Sequence, residues 1–183
     1  MAANVANSET AKPAPEANPT ASEQIIAGLE ALLLTVWLGA MIFFSFAVAP
    51  TVFAVLPTRE LAGQVVNSLI GKLELLGLVC GPLLLLSQLA LWPKRPAEAK
   101  ARVLRVILLA LMTLLVAASR FWVSAKLHAL RAQLSGPIDD LAVTDPLRVE
   151  FSALHGVSVS LMGAAMLAGI VVMLITVRLW LKR

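Results

Sequence analysis

Four ionisable side chains stand inside or at the ends of long apolar stretches of the chain: Glu30, Glu74, Arg120 and His155. An ionisable group at membrane depth is costly unless it is paired or faces a cavity, so each is a candidate for function. Glu30 lies about one and a half helical turns into its stretch. It reads as an interfacial carboxylate, solvated or paired with Arg105 or Arg178. The sharper reading makes it a proton or cation site facing the interior of a bundle. Arg120 either snorkels outward or pairs with Glu74 or Glu150, tying the ends of three helices together. His155 opens the last apolar stretch. It reads as a hydrogen-bonded structural residue, or alternatively as a metal or haem ligand or a pH-sensitive group.

A softer kind of chemistry is spelled by His155, Ser158, Met162, Met166, Gly169 and Met173, which share one stripe at helical spacing. Thioether and thiol ligands suit Cu(I), and Cys80 could extend such a path. The plainer reading, preferred here, is that methionine fills irregular core gaps and that a lone apolar-run cysteine is a small buried residue. A single cysteine forms no internal disulfide. The chain holds no C-x-x-C and no H-x-x-x-H, and Asp139, Asp140 and Asp145 lack the spacing of a calcium loop. P-loop, nucleophile-elbow and zinc-protease motifs are missing too. No catalytic residue, metal site or cofactor is therefore expected, and the chain is expected not to be an enzyme.

The elements that must carry these residues follow from composition. Of 183 residues, 59% are hydrophobic and 14% charged, whereas soluble domains run at about 45–50% and about 25%. Apolar runs span about 25–48, 75–92, 103–123 and 157–181. A helix needs about 20 apolar residues to cross ~30 Å of hydrocarbon. Lipid cannot satisfy open backbone groups, and the alternating segments of a β-barrel do not occur. The expectation is all-α: a four-helix transmembrane bundle over 25–183, partnered by the lipid bilayer. Residues 1–24, with Pro13, Pro15 and Pro19, read as a disordered tail and not as a signal peptide.

The net charge of +4 sits beside apolar runs, where it orients the chain and meets anionic lipid. It is not interleaved with aromatics, so no nucleic-acid partner is expected. Nine Lys and Arg fall on the side holding both ends and the second connection, six on the other. The dense cluster Lys94, Arg95, Lys100, Arg102 and Arg105 places both termini in the cytoplasm, in a membrane expected to be the bacterial inner membrane.

The other two connections carry helical signals. Thr58 is a plausible N-cap for 58–74, which lies at the interface or runs on into the second span. Val123, Leu127, Leu130 and Leu134 carry the third helix beyond the bilayer, or bend it onto the surface, until Gly136-Pro137 stops it. Asp145-Pro146 starts the fourth helix well before the membrane. Small residues permit close helix approach in lipid. Gly77 and Gly81 form such a pair, Ala31, Thr35 and Gly39 another set, and Gly156, Ser160, Ala164 and Ala168 a stripe suited to a contact within the chain or to a homo-oligomer. Gly81-Pro82 is expected to bend the second helix.

WLGAMIFFSFAVAPTVFAVLP (Trp37 to Pro57), RELAGQVVNSLIGKLELLGLVCG (Arg59 to Gly81) and FSALHGVSVSLMG (Phe151 to Gly163) together resemble the transmembrane-protein-205-like family, a membrane domain of unknown function. Trp37, Gly39, Phe44, Ala49, Pro50 and Phe53 carry the likeness most specifically. Where that family often has Asn in the third motif, this chain has Met162. The resemblance implies a four-helix membrane protein without an assigned reaction, and a link to tolerance of metals or toxic compounds. The layout is also distantly similar to four-helix copper-resistance and haem-related membrane proteins, which carry histidines in the first helix, where this chain has none. The expected function is a non-enzymatic accessory or scaffold bundle. The alternatives are a small proton-coupled transporter and a haem- or copper-binding redox protein.

Overall fold

Thr20 begins the first helix with a capping box: its hydroxyl accepts from the Glu23 N–H, and the Glu23 carboxylate accepts from the Thr20 N–H at 3.1 Å. The helix therefore starts at Ala21, four residues before the apolar run, because a T-x-x-E pair satisfies two of the donors left open at a helix start. The computed structural model describes residues 20–91, 99–134 and 136–181. Of the tail expected to be disordered over 1–24, residues 21–24 are instead the first turn of this first helix; residues 1–19, together with Lys94, Arg95, Lys182 and Arg183, fall outside the described residues. All described long elements are helices: α1 (Ala21–Val55), α2 (Arg59–Leu91), α3 (Ala99–Ala132) and α4 (Pro146–Trp180). Each is long and apolar enough to cross a bilayer, and the chain is an all-helical, multi-pass membrane bundle.

The open readings of the connections resolve. Segment 58–74 runs on as one helix with the second span, Thr58 accepting from the Leu61 N–H at 3.2 Å. The third helix continues to Ala132. Asp145 caps α4, accepting from the Leu147 N–H at 2.9 Å. Arg148 ties down the α3–α4 connection by donating to the Asp139 and Leu141 carbonyls at 3.1 and 2.6 Å. The helices alternate in direction, so one end of the bundle, the terminal end, holds the start of α1, the end of α2, the start of α3 and the end of α4. The other, the loop end, holds the α1–α2 and α3–α4 connections.

Buried positions recur at alternating spacings of three and four. In α1 the series runs Glu23, Ala27, Glu30, Leu34, Trp37, Met41 and Phe44, with Leu38 buried beside it; in α3 it runs Arg102, Arg105, Leu109, Met112, Val116, Ser119 and Val123, followed by Ser124, Leu127 and Leu130. That spacing lays helices nearly antiparallel with interlocking side chains. The common core joins Leu34, Trp37, Leu84, Leu109, Met112 and Val172. The outside is as apolar as the inside: Phe46 is 71%, Leu86 61% and Leu114 67% exposed. Such a surface is an aggregation hazard in water and is what lipid requires. From Arg102 to Arg120 the helix rises ~27 Å, close to one hydrocarbon thickness. Half-exposed Trp122 and Trp180 sit near the two limits, where indoles favour the headgroup layer. Beyond Arg120, the ends of α1 and α3 and the starts of α2 and α4 project from the loop end.

Two helices each contain one widened π-helical turn, Phe44–Val48 in α1 and Ser119–Ser124 in α3. The first precedes Pro50, which has no N–H to donate and whose ring would meet the Phe46 carbonyl of a regular helix. Pro82 lies inside α2, which runs unbroken past it.

The paired glycines of α2 face different neighbours. A Cβ on Gly77 would lie 2.8 Å from Trp37 Nε1, and one on Gly81 would collide with the Thr113 hydroxyl. Thr113 has little freedom to yield, since it donates to the Leu109 carbonyl at 2.8 Å. The stripe on α4 behaves otherwise. Gly156, Ser160 and Ala164 lie on the outside and only Ala168 is buried. The close approach there is made by Ala165, Ala168 and Gly169, against Leu38 and Met112. Gly81→Val is accordingly expected to lower stability by about 1–3 kcal/mol through overpacking. Gly163→Val, with nothing within 4 Å of its Cβ, should leave the thermal midpoint in detergent nearly unchanged.

Candidate functional site

The polar residues of the core fall into two layers. At the terminal end, Glu30 is 4% exposed. Gln88 Nε2 donates to Glu30 Oε1 at 2.6 Å, and Arg105 Nη2 donates to Glu30 Oε2 at 3.1 Å. This carboxylate is thus paired rather than solvated, and its partner is Arg105 rather than Arg178. Three helices meet on it: Glu30 from α1, Gln88 from α2, Arg105 from α3. All three occupy core positions of the three-four spacing, which is why they converge. Arg105 keeps one buried Nε without a partner. Glu30 does not line the cavity described below.

The second layer lies fourteen residues away on both α2 and α3, ~21 Å along the bundle. Glu74, 4% exposed, accepts at Oε1 from Ser119 Oγ at 2.7 Å and from Ser124 Oγ at 2.8 Å. Both hydroxyls reach one oxygen because of the π-helical turn. In a regular helix residues five apart point about 140° away from each other, whereas a turn closed five residues apart brings them to one face. Arg120 Nη1 stands 3.7 Å from Glu74 Oε2, so Arg120 pairs with Glu74 and not with Glu150. Between the layers the core is apolar, with Leu34, Leu84, Leu109, Met112 and Val172 wholly buried.

Above the second layer a cavity of ≈ 550 Å³ opens at the loop end. Arg59, Glu60, Gln64 and Asn67 reach it from α2, Ser124, Leu127 and Arg131 from α3, Asp139 from the connection, and Phe53, Phe151, His155 and Ser158 from α1 and α4. Arg131 lies over the Phe151 ring at 5.3 Å, so a cation is held against an apolar wall. Asn67 Nδ2 and His128 Nε2 are 3.4 Å apart nearby. Ser124 lines the cavity and also bonds Glu74, and so joins the two.

Of the four residues singled out from sequence, Glu74 and Arg120 form one group, His155 lines the cavity above it, and Glu30 belongs to the distant layer. Gln88, Ser119, Ser124 and Arg131 complete these groups. Met162 packs beside α1, where Ser45 Oγ approaches its sulfur at 3.5 Å. Cys80 is buried in the apolar core. Among the described residues no three His, Cys, Asp or Glu side chains are grouped to hold a metal ion.

Residues 32–135 match the family described as a domain of unknown function, DUF4149. No curated protein and no solved structure matches the chain.

Proposed function

Since this chain belongs to the DUF4149 family, whose domain has no assigned function, we infer its role from the loop-end cavity: a non-enzymatic accessory bundle that takes up a small amphipathic molecule at the membrane edge. The observation that carries this reading is the cavity itself. Its ≈ 550 Å³ lies within the ~300–1,000 Å³ usual for small-molecule sites. Its wall sets apolar Phe53, Leu127 and Phe151 against polar and charged side chains, among them Arg59, Glu60, Arg131, Asp139, His155 and Ser158, a mixed lining suited to an amphipathic molecule. It sits where the bundle leaves the hydrocarbon, so a molecule dissolved in the headgroup layer could enter it. Capturing such molecules would serve tolerance of toxic compounds.

The residues that liken the chain to the transmembrane-protein-205-like family include Phe53, which forms part of this wall. The same reading keeps both termini at the cytoplasmic face of a bacterial inner membrane, on the strength of the basic α2–α3 connection. The outward-facing Gly156, Ser160 and Ala164 are where two copies would meet.

Anilinonaphthalene sulfonate, an amphipathic anion, is a suitable first probe. At a hundredfold excess over its Kd it should stabilise the protein in nanodiscs by about 2.7 kcal/mol. The Arg131→Ala variant should lose at least tenfold in affinity. An equal rise in thermal midpoint for both proteins would place the probe in the lipid and overturn the reading.

A further inference from the structure

The lining of the loop-end cavity carries both signs of charge, but only its carboxylates are engaged by partners. Asp139 stands 3.7 Å from the Arg148 guanidinium, and Glu60 accepts from Gln64 Nε2 at 3.3 Å. Among the described residues neither Arg59 nor Arg131 has a carboxylate within ion-pair distance. Arg131 is the more constrained of the two. It is partly buried, and its guanidinium lies over the Phe151 ring of α4 at 5.3 Å. On the α2 side, its Nη2 comes within 3.5 Å of where a Cβ on Gly63 would stand. The charge reaching in from α3 is thus held between α2 and α4. A cation withdrawn from water without a counter-ion is costly, and a guanidinium is shaped to grip two oxygens of a carboxylate or phosphate.

The lining is also sorted by depth. Arg131 stands seven residues beyond Ser124 on α3, ~10 Å along the helix. Arg59 stands eleven residues before Ile70 on α2, ~16 Å along it. The guanidiniums therefore ring the mouth, while Val66, Ile70 and Leu127 form the inner wall. Taking the cavity as the amphiphile site inferred above, we propose that its ligand is a single-chain amphiphile with an anionic oxygen head, a phosphate or a carboxylate. Arg131 and Arg59 grip the head at the mouth, and the chain lies inward along Val66, Ile70 and Leu127. A cationic head gains less there, because Glu60 and Asp139 already have partners and the guanidiniums do not. The space of ≈ 550 Å³ is that of one drug-sized molecule, which a single chain fills and the two chains of a bilayer lipid exceed.

The test uses the full chain in phosphatidylcholine nanodiscs and a dodecyl phosphate with a diazirine at its chain end, which on illumination marks the residues beside it. The expected result is labelling around Ile70 and Leu127. Unlabelled dodecyl phosphate should displace the label at least ~tenfold more effectively than dodecanol or dodecyltrimethylammonium, the order expected of one charge-assisted pair. Arg131→Gln should weaken labelling by a similar factor. Glu60→Gln, which removes an opposing charge from the mouth, should strengthen it, so that a general loss of fold is distinguished from loss of the cation. Equal displacement by all three dodecyl compounds would overturn the anionic head while leaving the cavity an amphiphile site. Displacement by inorganic phosphate at the same concentration would show a plain anion site and overturn the role of the chain. An unlabelled cavity would overturn both the proposal and the reading on which it rests.

Discussion

Glu30→Leu should destabilise the bundle by about 3–5 kcal/mol, the usual cost of stripping a buried ion of its partner. The substitution removes the acceptor of both Gln88 Nε2 and Arg105 Nη2. Arg105, only 7% exposed, would be left as an uncompensated cation at the edge of the hydrocarbon, with Nε already unpartnered. Arg105→Leu should cost a similar amount by leaving the buried carboxylate without its counter-charge, held by Gln88 alone. The informative measurement is the double variant Glu30→Leu/Arg105→Leu. Replacing a buried ion pair by apolar side chains is often neutral, so the double change should recover most of the loss, giving a coupling well above 1 kcal/mol in a denaturation cycle. Additive single effects would mean that the pair does not form. The cycle also separates anchoring from transport. Both Glu30 oxygens are occupied by donors from neighbouring helices, which favours the anchoring role over a free proton or cation site.

The sequence narrows Glu30 to Arg105 or Arg178 and Arg120 to Glu74 or Glu150, because an isolated charge inside an apolar run demands a partner and few candidates share its depth; only the fold selects Arg105 and Glu74. Their remaining partners were harder to see. Serine and glutamine cost little in a membrane helix and do not stand out. Gln88 was nonetheless within reach: continuing Glu74, Gly77, Gly81 and Leu84 at the same three-four spacing lands on it. The helix extensions at Thr58 and Asp145 are legible from their caps, and T-x-x-E at Thr20 and Glu23 marks the start of α1 as clearly, although the apolar run begins only at Ile25. The stripe Gly156, Ser160, Ala164 and Ala168 was visible, yet its neighbours Ala165 and Gly169 make the contact. Spacing alone cannot say which of two adjacent small-residue faces turns inward. The cavity was the least legible feature. It needs the projecting ends of all four helices and the α3–α4 connection to close around one space, and no single segment records that.

Deleting Phe121 is expected to be far less damaging than deleting Leu114, although both side chains face lipid, at 71% and 67% exposure. The argument rests on the spacing of buried residues in α3. Val116, Ser119 and Val123 keep the three-four alternation, but Ser124, next to Val123, is buried as well, so the widened turn Ser119–Ser124 turns one more residue inward than a regular helix would. That turn accommodates one residue more than a regular helix would. Removing Phe121 lets the segment close as an ordinary α-helix. Ser119 and Ser124 would then stand four apart, about 40° from each other, and both could still reach Glu74. Val123, Leu127 and Leu130 would keep their faces, so the loss should stay within about 2 kcal/mol. Removing Leu114 from the regular part of the helix instead turns everything beyond it by about 100°. That carries Val116, Ser119 and Val123 off the core, strands Glu74 without its serine donors and dismantles the cavity wall at Leu127 and Arg131. A loss above about 4–5 kcal/mol, the range reached only when a core or a buried network fails, is expected in the thermal midpoint. Probe binding at the cavity should vanish with it. Leu114→Ala and Phe121→Ala should both be nearly silent, which separates register from side-chain loss. Equal damage from the two deletions would show that the widened turn in α3 is not an absorbed extra residue, and the alignment of Ser119 with Ser124 on Glu74 would need another cause.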